Sequence, residues 1–526
     1  MKRVRIALVA TVLALPLATA GPAAAHDHGP RAKDDHYRVR AGQALHDDVL
    51  GNDHDATAVV RHTAAAHGTV TIGAGGAFHY TPAPGFTGRD SFTYTVSDAV
   101  KLYPTNLKPL ATIGGVPIKG GAYGSALTPV PGERDEFYGL TDRGPNVDAP
   151  GGGKIEPLPA FTPAIGKFRL RDGKAVLEKA IPLRAANGTP YNGQVSPQAD
   201  TGEKIVDLNG DPLPQSPYGY DSEGLVAQRD GTFWVSDEYG PFITHFGRDG
   251  RAIERLSPFD GSLPAELKYR VPNKGMEGLA LTPDGRTLVG VMQSALQQPD
   301  LTKKPGNVTT LRIVTVDLRT RATHEYLYLL DDPDTTGTAV SEITALSATR
   351  FLVDERDGAM EPGAYKKLFE IDLSGATDVG SKAAVPGAIY DAVKGGLLVG
   401  GKSIDAYVGK DTTADAIKDL AAVGITPVTK KLHLDLGALV TTLDPSGGFF
   451  GHDKVEGVAT TDGGRTLVIS NDNDFGIDGV TNAAPPYALR VKTLPDGRQD
   501  DGEYLVVDTT KLPAATSTAT VTIDVR

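Results

Sequence analysis

The sequence predicts an all-β protein, a six-bladed β-propeller plus a small β-sandwich. Three observations carry that prediction. Glycine and proline punctuate the chain densely, 62 and 37 of 526 residues, about a fifth where average usage is about 12%. Short segments with apolar residues at alternate positions lie towards both ends. One phrase, an acidic residue followed by glycine and two apolar residues, returns at long intervals. The glycines have no three-residue period, and 40% apolar residues in patterned runs exclude a disordered chain. Cysteine is absent, which excludes disulfides, zinc–thiolate sites, iron–sulfur clusters and a Cys nucleophile. A formal net charge of -12 argues against nucleic acid as a partner.

Residues 1–25 read as a signal peptide. Lys2, Arg3 and Arg5 precede an apolar stretch interrupted by Pro16, and Ala23, Ala24 and Ala25 supply small residues before the cleavage point. No later apolar run reaches the roughly eighteen residues of a membrane span, so no transmembrane anchor is expected and the mature chain is expected to be secreted. His26 and His28 then read as a solvated tail. Residues 68–72, 77–81 and 91–96 read as strands; Phe92, Tyr94 and Val96 alternate with polar neighbours, and Pro82, Pro84, Gly85 and Gly88 mark a turn. The stretches LHDDVLGND and HGTVTIGAGGAFHYTPAPGFTGRDSFTYTVSDA resemble the cadherin-like, immunoglobulin-like (Ig-like) tandem repeats of bacterial surface proteins. Such repeats end on a strand of the form STATVTITV, which this chain carries only at residues 517–525. The resemblance implies a discontinuous Ig-like sandwich, residues 36–98 with 515–526, interrupted by a large domain over residues 100–512. An edge strand of the large domain is the other reading of the C-terminal segment.

Within the large domain, Asp221-Ser-Glu223-Gly, Lys274-Gly-Met-Glu277-Gly, Ser341-Glu342 and Lys454-Val-Glu456-Gly each open a strand, and a turn and second strand follow each. The glutamates are 54, 65 and 114 residues apart. The last interval is close to two periods, which predicts a blade without the glutamate around residues 397–402. A further unit, residues 123–127 with 137–144, precedes them all, giving six units and hence a propeller. The first strand of a propeller blade lines the channel, so Glu223, Glu277, Glu342 and Glu456 are expected to converge. Facing carboxylates repel, and proton uptake or a cation relieves the repulsion; Ca²⁺ suits a set of oxygen ligands. The alternative is that Glu-Gly sets a bulge and pairs with a neighbouring blade. Lys274, Lys454, Arg143 and Arg356 stand near these acids, a mixture that suits a small anionic substrate such as a phosphoester; plain ion pairs are the other reading.

The stretches GGAYGSALTPVPGERDEFYGLTDRGPN, GYDSEGLVAQRDGTFWVSDEYGPFITHFGRDGR, NKGMEGLALTPDGRTLVGVMQ and DKVEGVATTDGGRTLVISNDNDFG together resemble the secreted phytase-like family described as having esterase-like activity of phytase, over most of residues 100–512. The Glu-Gly units are also similar in form to those of calcium-dependent β-propeller phytases, in which calcium at the channel mouth binds phosphate and activates water. The resemblance implies a metal-dependent phosphoester hydrolase. Its catalytic residues would be Glu223, Glu277, Glu456, Lys274, Arg143 and Arg356. Its Ca²⁺ ligands would be Glu223, Glu277, Glu342 and Glu456, with Asp237, Glu238, Asp354, Glu355 and Asp472 outside them. True propeller phytases have more metal-binding carboxylates in a denser arrangement. Two other functions stay open. One is a non-catalytic, calcium-stabilised binding propeller that its sandwich presents at a cell surface or matrix. The other is a metal-dependent lactonase or carboxylesterase. A Ser-His-Asp enzyme is disfavoured, since no Gly-x-Ser-x-Gly elbow exists and only four of twelve histidines fall in the large domain. Residues 471–478 carry alternating carboxylates of the kind that wrap Ca²⁺, without the glutamate that closes an EF-hand loop. A short helix is expected over residues 413–423, before Gly424.

Overall fold

Alternating apolar side chains build the smaller module. Phe92, Tyr94 and Val96 of Gly88–Ser97 are buried, as are Ala519, Val521, Ile523 and Val525 of Thr516–Val525. The two strands pair antiparallel along their whole length, with Phe92 opposite Val521, so both apolar rows fall on one face. Asp35–Val39 joins the C-terminal strand in parallel, and Ala58–His62 flanks Gly88–Ser97 on the other side. A three-stranded sheet of Leu45–Asp48, Ala77–Pro82 and Gly68–Ile72 packs Phe78 and Tyr80 against this face. The computed structural model describes residues 29–200 and 202–526; the expected signal peptide, His26 and His28 lie outside the described residues.

Five four-stranded sheets follow, and their first strands are Ala126–Pro129, Ser222–Ala227, Met276–Leu281, Ala339–Ala345 and Val455–Ala459. These stand side by side around a channel. Ser222 Oγ donates to Thr141 O (2.7 Å), Ser236 Oγ to Glu277 O (2.6 Å), Leu279 N to Glu342 Oε1 (3.3 Å), the Thr344 hydroxyl to Val458 O, and Ser470 Oγ to Gly124 O (3.2 Å). Each bond ties one blade to the next, and the last returns from blade 5 to blade 1. A Cβ on Gly124 would lie 1.7 Å from Asn471 O, which is why this closing contact needs glycine. The fifth sheet takes its outermost strand from Val100–Pro104, so a strand that follows directly on the sandwich closes the ring. Ala58 and Val60 of the sandwich share one core with Leu467, Ile469, Leu505 and Val507 of blade 5.

The sequence predicts six blades; five are present among the described residues. The expected glutamate-free blade is a small sheet of Ile389–Asp391, Gly396–Val399 and Lys402–Ser403. It belongs to a long excursion between the third and fourth strands of blade 4, Lys366–Asp372 and Thr429–Asp435. The excursion includes the helix Thr413–Ala422, which the Thr412 side chain caps by accepting from Asp415 N. Val379, Leu397, Val399, Leu420 and Ile425 give it a core of its own against Leu327 and Leu329 of blade 3. The double interval between Glu342 and Glu456 thus reflects inserted chain. An apolar strand bounded by glycines reads the same in sequence whether it joins the ring or not.

Candidate functional site

A β-bulge interrupts the first strand of blades 2 to 5 near its start. The ladder slips between Ser222 and Leu225, Met276 and Leu279, Val340 and Glu342, and Val455 and Gly457. The bulge turns its residue towards the channel mouth, and that residue is Glu223, Glu277, Ser341 and Glu456 in turn. Three backbone bonds share one geometry at the blade ends: Glu238 N donates to Asp221 O (2.9 Å), Gln293 N to Gly275 O (2.9 Å) and Asp472 N to Lys454 O (3.0 Å). Blades 2, 3 and 5 therefore share three equivalent positions, namely the residue before the first strand, the bulge residue and the end of the second strand, and blade 4 has their counterparts, with Ala339 opening its first strand opposite Arg356. Blade 2 fills them with Asp221, Glu223 and Glu238; blade 3 with Gly275, Glu277 and Gln293; blade 4 with Ala339, Ser341 and Arg356; blade 5 with Lys454, Glu456 and Asp472.

All of these but Gly275 and Ser341 line a cavity of ≈ 480 Å³ at the channel mouth. It brings together eight of the residues the sequence singles out: Glu223, Glu277, Glu456, Glu238, Asp472, Lys274, Arg143 and Arg356. Asp221, Asn273 and Gln293 join them there. Four others stand elsewhere. Glu342 aligns with Gly224, Gly278 and Gly457 and not with the three glutamates; its Oε1 accepts from Ile343 N (2.8 Å) and Leu279 N (3.3 Å) between the blades. Asp237 accepts from Gly240 N (2.6 Å), and burial pushes its carboxyl up to about 7 against the pull of Arg255. Asp354, opposite Glu342, is buried with neither oxygen partnered, and burial pushes it up to about 7 against Arg356 and Lys366. Glu355 is held by Tyr328 (2.7 Å), Lys430 (2.5 Å) and Thr338 (3.1 Å). Asp237 and Glu355 differ from cavity-lining Glu238 and Arg356 by one residue, and neighbours on a strand face opposite ways.

Asp221, Glu223 and Glu238 place one carboxylate oxygen each within 4.8 Å of one another, all three side chains buried. The Asn273 amide lies 3.3 Å from Glu238 Oε2 and Asp221 Oδ2; turned nitrogen-inward it donates to both, and turned oxygen-inward it adds a fourth oxygen ligand. Burial first, then Asp221, Glu277 and Glu238, pushes the Glu223 carboxyl well above its usual range. Burial, Glu277 and Asp221 do the same to Glu238. Glu277 rises to about 8 through burial and Glu456, opposed by Gln293, which donates to its Oε1 at 2.8 Å. Glu238 Oε1 and Glu277 Oε2 are buried and have no hydrogen-bond partner. Orphaned oxygens in an all-oxygen donor set fit a hard divalent cation such as Ca²⁺.

The basic side chains are distributed unevenly. Buried Arg143 donates to the Tyr239 hydroxyl and to Asn146 Oδ1 (3.3 Å), and its Nε lies 3.8 Å from Asp221 Oδ2. Arg356 bridges blades 4 and 5 through an ion pair with Glu456, while its Nε is buried without a partner. Lys454 meets Asp472 at 3.0 Å. Lys274 lines the cavity, and its ammonium makes no ion pair or hydrogen bond among the described residues.

Blade 5 also contains a fully buried charged group that no sequence motif announces. His452 Nδ1 lies 2.9 Å from Asp500 Oδ1 and Nε2 3.2 Å from Glu503 Oε2. Burial opposes the imidazolium, but the two carboxylates outweigh it and hold the pKa up to about 9, against 6.5 ordinarily. A raised histidine pKa stabilises the fold fully below about 6.5 and loses that contribution as pH rises through 9, on the order of 3 kcal/mol in all. Chemical denaturation at pH 6.5 and 9.5 measures it. Wild type is expected to lose more stability over this interval than His452→Gln; equal losses would contradict the assignment.

Two family models match the chain. The family described as having esterase-like activity of phytase matches residues 119–475, and a bacterial Ig domain matches residues 27–105. An uncharacterized secreted protein of Arthroderma benhamiae is 30% identical over 225 residues, covering 33% of this chain and 44% of its own, so the chain spans less than half the length of that relative. Among solved structures, regucalcin, a calcium-binding protein of Agrobacterium tumefaciens, is 10% identical with a TM-score of 0.26, covering 77% of this chain and 96% of its own. Streptogramin B lyase is 12% identical with a TM-score of 0.27, covering 77% and 97%. The Dos1 propeller is 11% identical with a TM-score of 0.26, covering 70% and 69%. The family match spans more than half of the chain and includes every cavity-lining residue but Ile477 and Asp478, and the chain belongs to the phytase-like family, described by esterase-like activity of phytase.

Proposed function

We propose that the protein is an exported, metal-dependent phosphoester hydrolase acting at the propeller channel mouth. One observation supports this most: three buried carboxylates with an unsatisfied oxygen share a cavity with unpaired basic donors, the Lys274 ammonium and Arg356 Nε. Twelve carboxylates and five basic side chains line the cavity, so an anion enters favourably only with a cation in place. Asp221, Glu223, Glu238 and the Asn273 oxygen would hold it. A bound Ca²⁺ supplies positive charge to a phosphate oxygen and makes a nearby water more acidic. Lys274 and Arg356 Nε then bind the remaining phosphate oxygens. Glu277, fixed through Oε1 by Gln293, keeps Oε2 free to accept a proton from the attacking water. Arg143 orients Asp221, whose Oδ1 accepts from the Arg143 backbone N–H at 3.2 Å.

Export is supported by the secreted relative; no helix among the described residues is long and apolar enough to cross a membrane. In this reading residues 36–98 and 515–526 form the Ig-like module, residues 100–512 are inserted into it, and the module provides contact with a cell surface or matrix.

Assay of phosphate esters with Ca²⁺ and with chelator tests the proposal. Turnover in Ca²⁺ that falls at least about 100-fold on chelation is expected from the loss of charge stabilisation. No turnover in either condition, with Ca²⁺ still raising thermal stability, would instead establish a binding propeller. Turnover of lactones or carboxylesters alone would establish the third reading.

A further inference from the structure

We infer that the cavity holds a single metal ion, at blade 2, and that Lys454 supplies a built-in positive charge where blade 5 would otherwise take a second. This deepens the proposed function and rests on its cation-dependent reading of the cavity. Blades 2 and 5 are the two that place acids at both the bulge and the end of the second strand: Glu223 and Glu238 in one, Glu456 and Asp472 in the other. They differ at the third equivalent position. The backbone oxygen that accepts from the strand-end N–H belongs to Asp221 in blade 2 and to Lys454 in blade 5. One substitution of type thus converts a three-carboxylate set into two carboxylates and an ammonium.

Three further observations show that the exchange is built in. Lys454 Nζ pairs with Asp472 (3.0 Å) and Asp474, so it neutralises the acids a second cation would use. Lys492, itself buried, fastens Asp453 and Asp474 at 2.7 Å each and Asp500 at 3.3 Å. The loop that bends Asp474 into this network is strained, with Asp474 and Phe475 at φ of 46° and 54°. Residues 471–478, whose alternating acids suggest a Ca²⁺ loop in the sequence, therefore wrap lysines. The Lys454 side chain keeps 34% exposure and lines the same cavity as the blade 2 carboxylates. An ammonium so placed binds an oxygen of the substrate's phosphate group without a second metal.

Calcium titration by calorimetry of the full chain tests this. Wild type is expected to bind one Ca²⁺ in the cavity, and Lys454→Asp, which restores the blade 2 pattern, to bind one more. Lys454→Met, which keeps the side-chain volume, is expected to retain one ion and to bind inorganic phosphate at least about 10-fold more weakly in the presence of Ca²⁺. Two ions in wild type, or no additional ion in folded Lys454→Asp, would overturn the inference and leave the metal-dependent reading standing. Unchanged phosphate affinity in Lys454→Met would also overturn it. No ion in wild type would overturn both.

Discussion

Glu238→Gln is expected to abolish calcium binding while making the metal-free protein more stable. Three carboxylates within 4.8 Å of one another, all buried, repel strongly. Without a cation, burial, Glu277 and Asp221 push the Glu238 carboxyl well above the 4.5 at which the unfolded chain ionises it. An acid whose pKa is raised by folding costs stability progressively as pH rises above the unfolded value. Glutamine needs no proton, so the variant is expected to be more stable than wild type at pH 7 in chelator, a gain that fades towards pH 4.5. In Ca²⁺ the order reverses, because wild type alone gains binding energy from the ion. Phosphoester turnover in Ca²⁺ is expected to fall at least about 100-fold. Denaturation curves in Ca²⁺ and in chelator, at pH 5 and 7, separate these effects. A variant less stable than wild type in chelator, yet still stabilised by Ca²⁺, would show that Glu238 packs the blade and does not ligate.

Deletion of residues 516–525 is expected to unfold the sandwich and drive the chain into aggregates. That strand lies in the middle of its sheet, between Asp35–Val39 and Gly88–Ser97, and buries Ala519, Val521, Ile523 and Val525. Each large side chain among these contributes about 1.5–3 kcal/mol of burial, and removing the strand leaves two long unpaired edges. The damage extends to the propeller, since Val100–Pro104 closes the ring directly beyond Gly88–Ser97 and the sandwich shares a core with blade 5. The milder Val521→Asp places a charge in the same core and tests the point in soluble protein. A single cooperative transition at a much lower temperature is the expected outcome. Unchanged melting would mean that the C-terminal strand is dispensable.

Much of this arrangement is legible in the sequence, because Glu-Gly before two apolar residues writes the bulge into the chain at Glu223, Glu277 and Glu456. The same rule, read strictly, sets Glu342 apart: Ser341-Glu342-Ile343 lacks the glycine, and Ile343 takes the place of Leu225, Leu279 and Val458. Matching glutamate to glutamate puts Ser341 one residue out of phase, and one residue on a strand reverses the side chain's direction. The same pleat decides between Asp237 and Glu238, and between Glu355 and Arg356, which no composition argument separates. Asp221 and Lys454 do stand at a common offset before their glutamates, but their equivalence becomes evident only with the backbone bonds from Glu238 and Asp472. Asn273 and Gln293 carry no motif; they reach the cavity because blade 3 follows blade 2 around the ring. The buried His452, Asp500 and Glu503 network depends on pairing between segments distant in sequence and leaves no local trace. The blade count fails for a related reason, since an insertion long enough to fold on itself mimics a missing repeat.

One divalent cation is expected among Asp221, Glu223 and Glu238. An anomalous-difference map from crystals soaked in Ca²⁺ tests it most directly. One cavity peak about 2.3–2.6 Å from oxygens of these three side chains is expected, and none between Glu456 and Asp472. A cavity without a peak at the three carboxylates, or with its calcium at Asp472 instead, would contradict it.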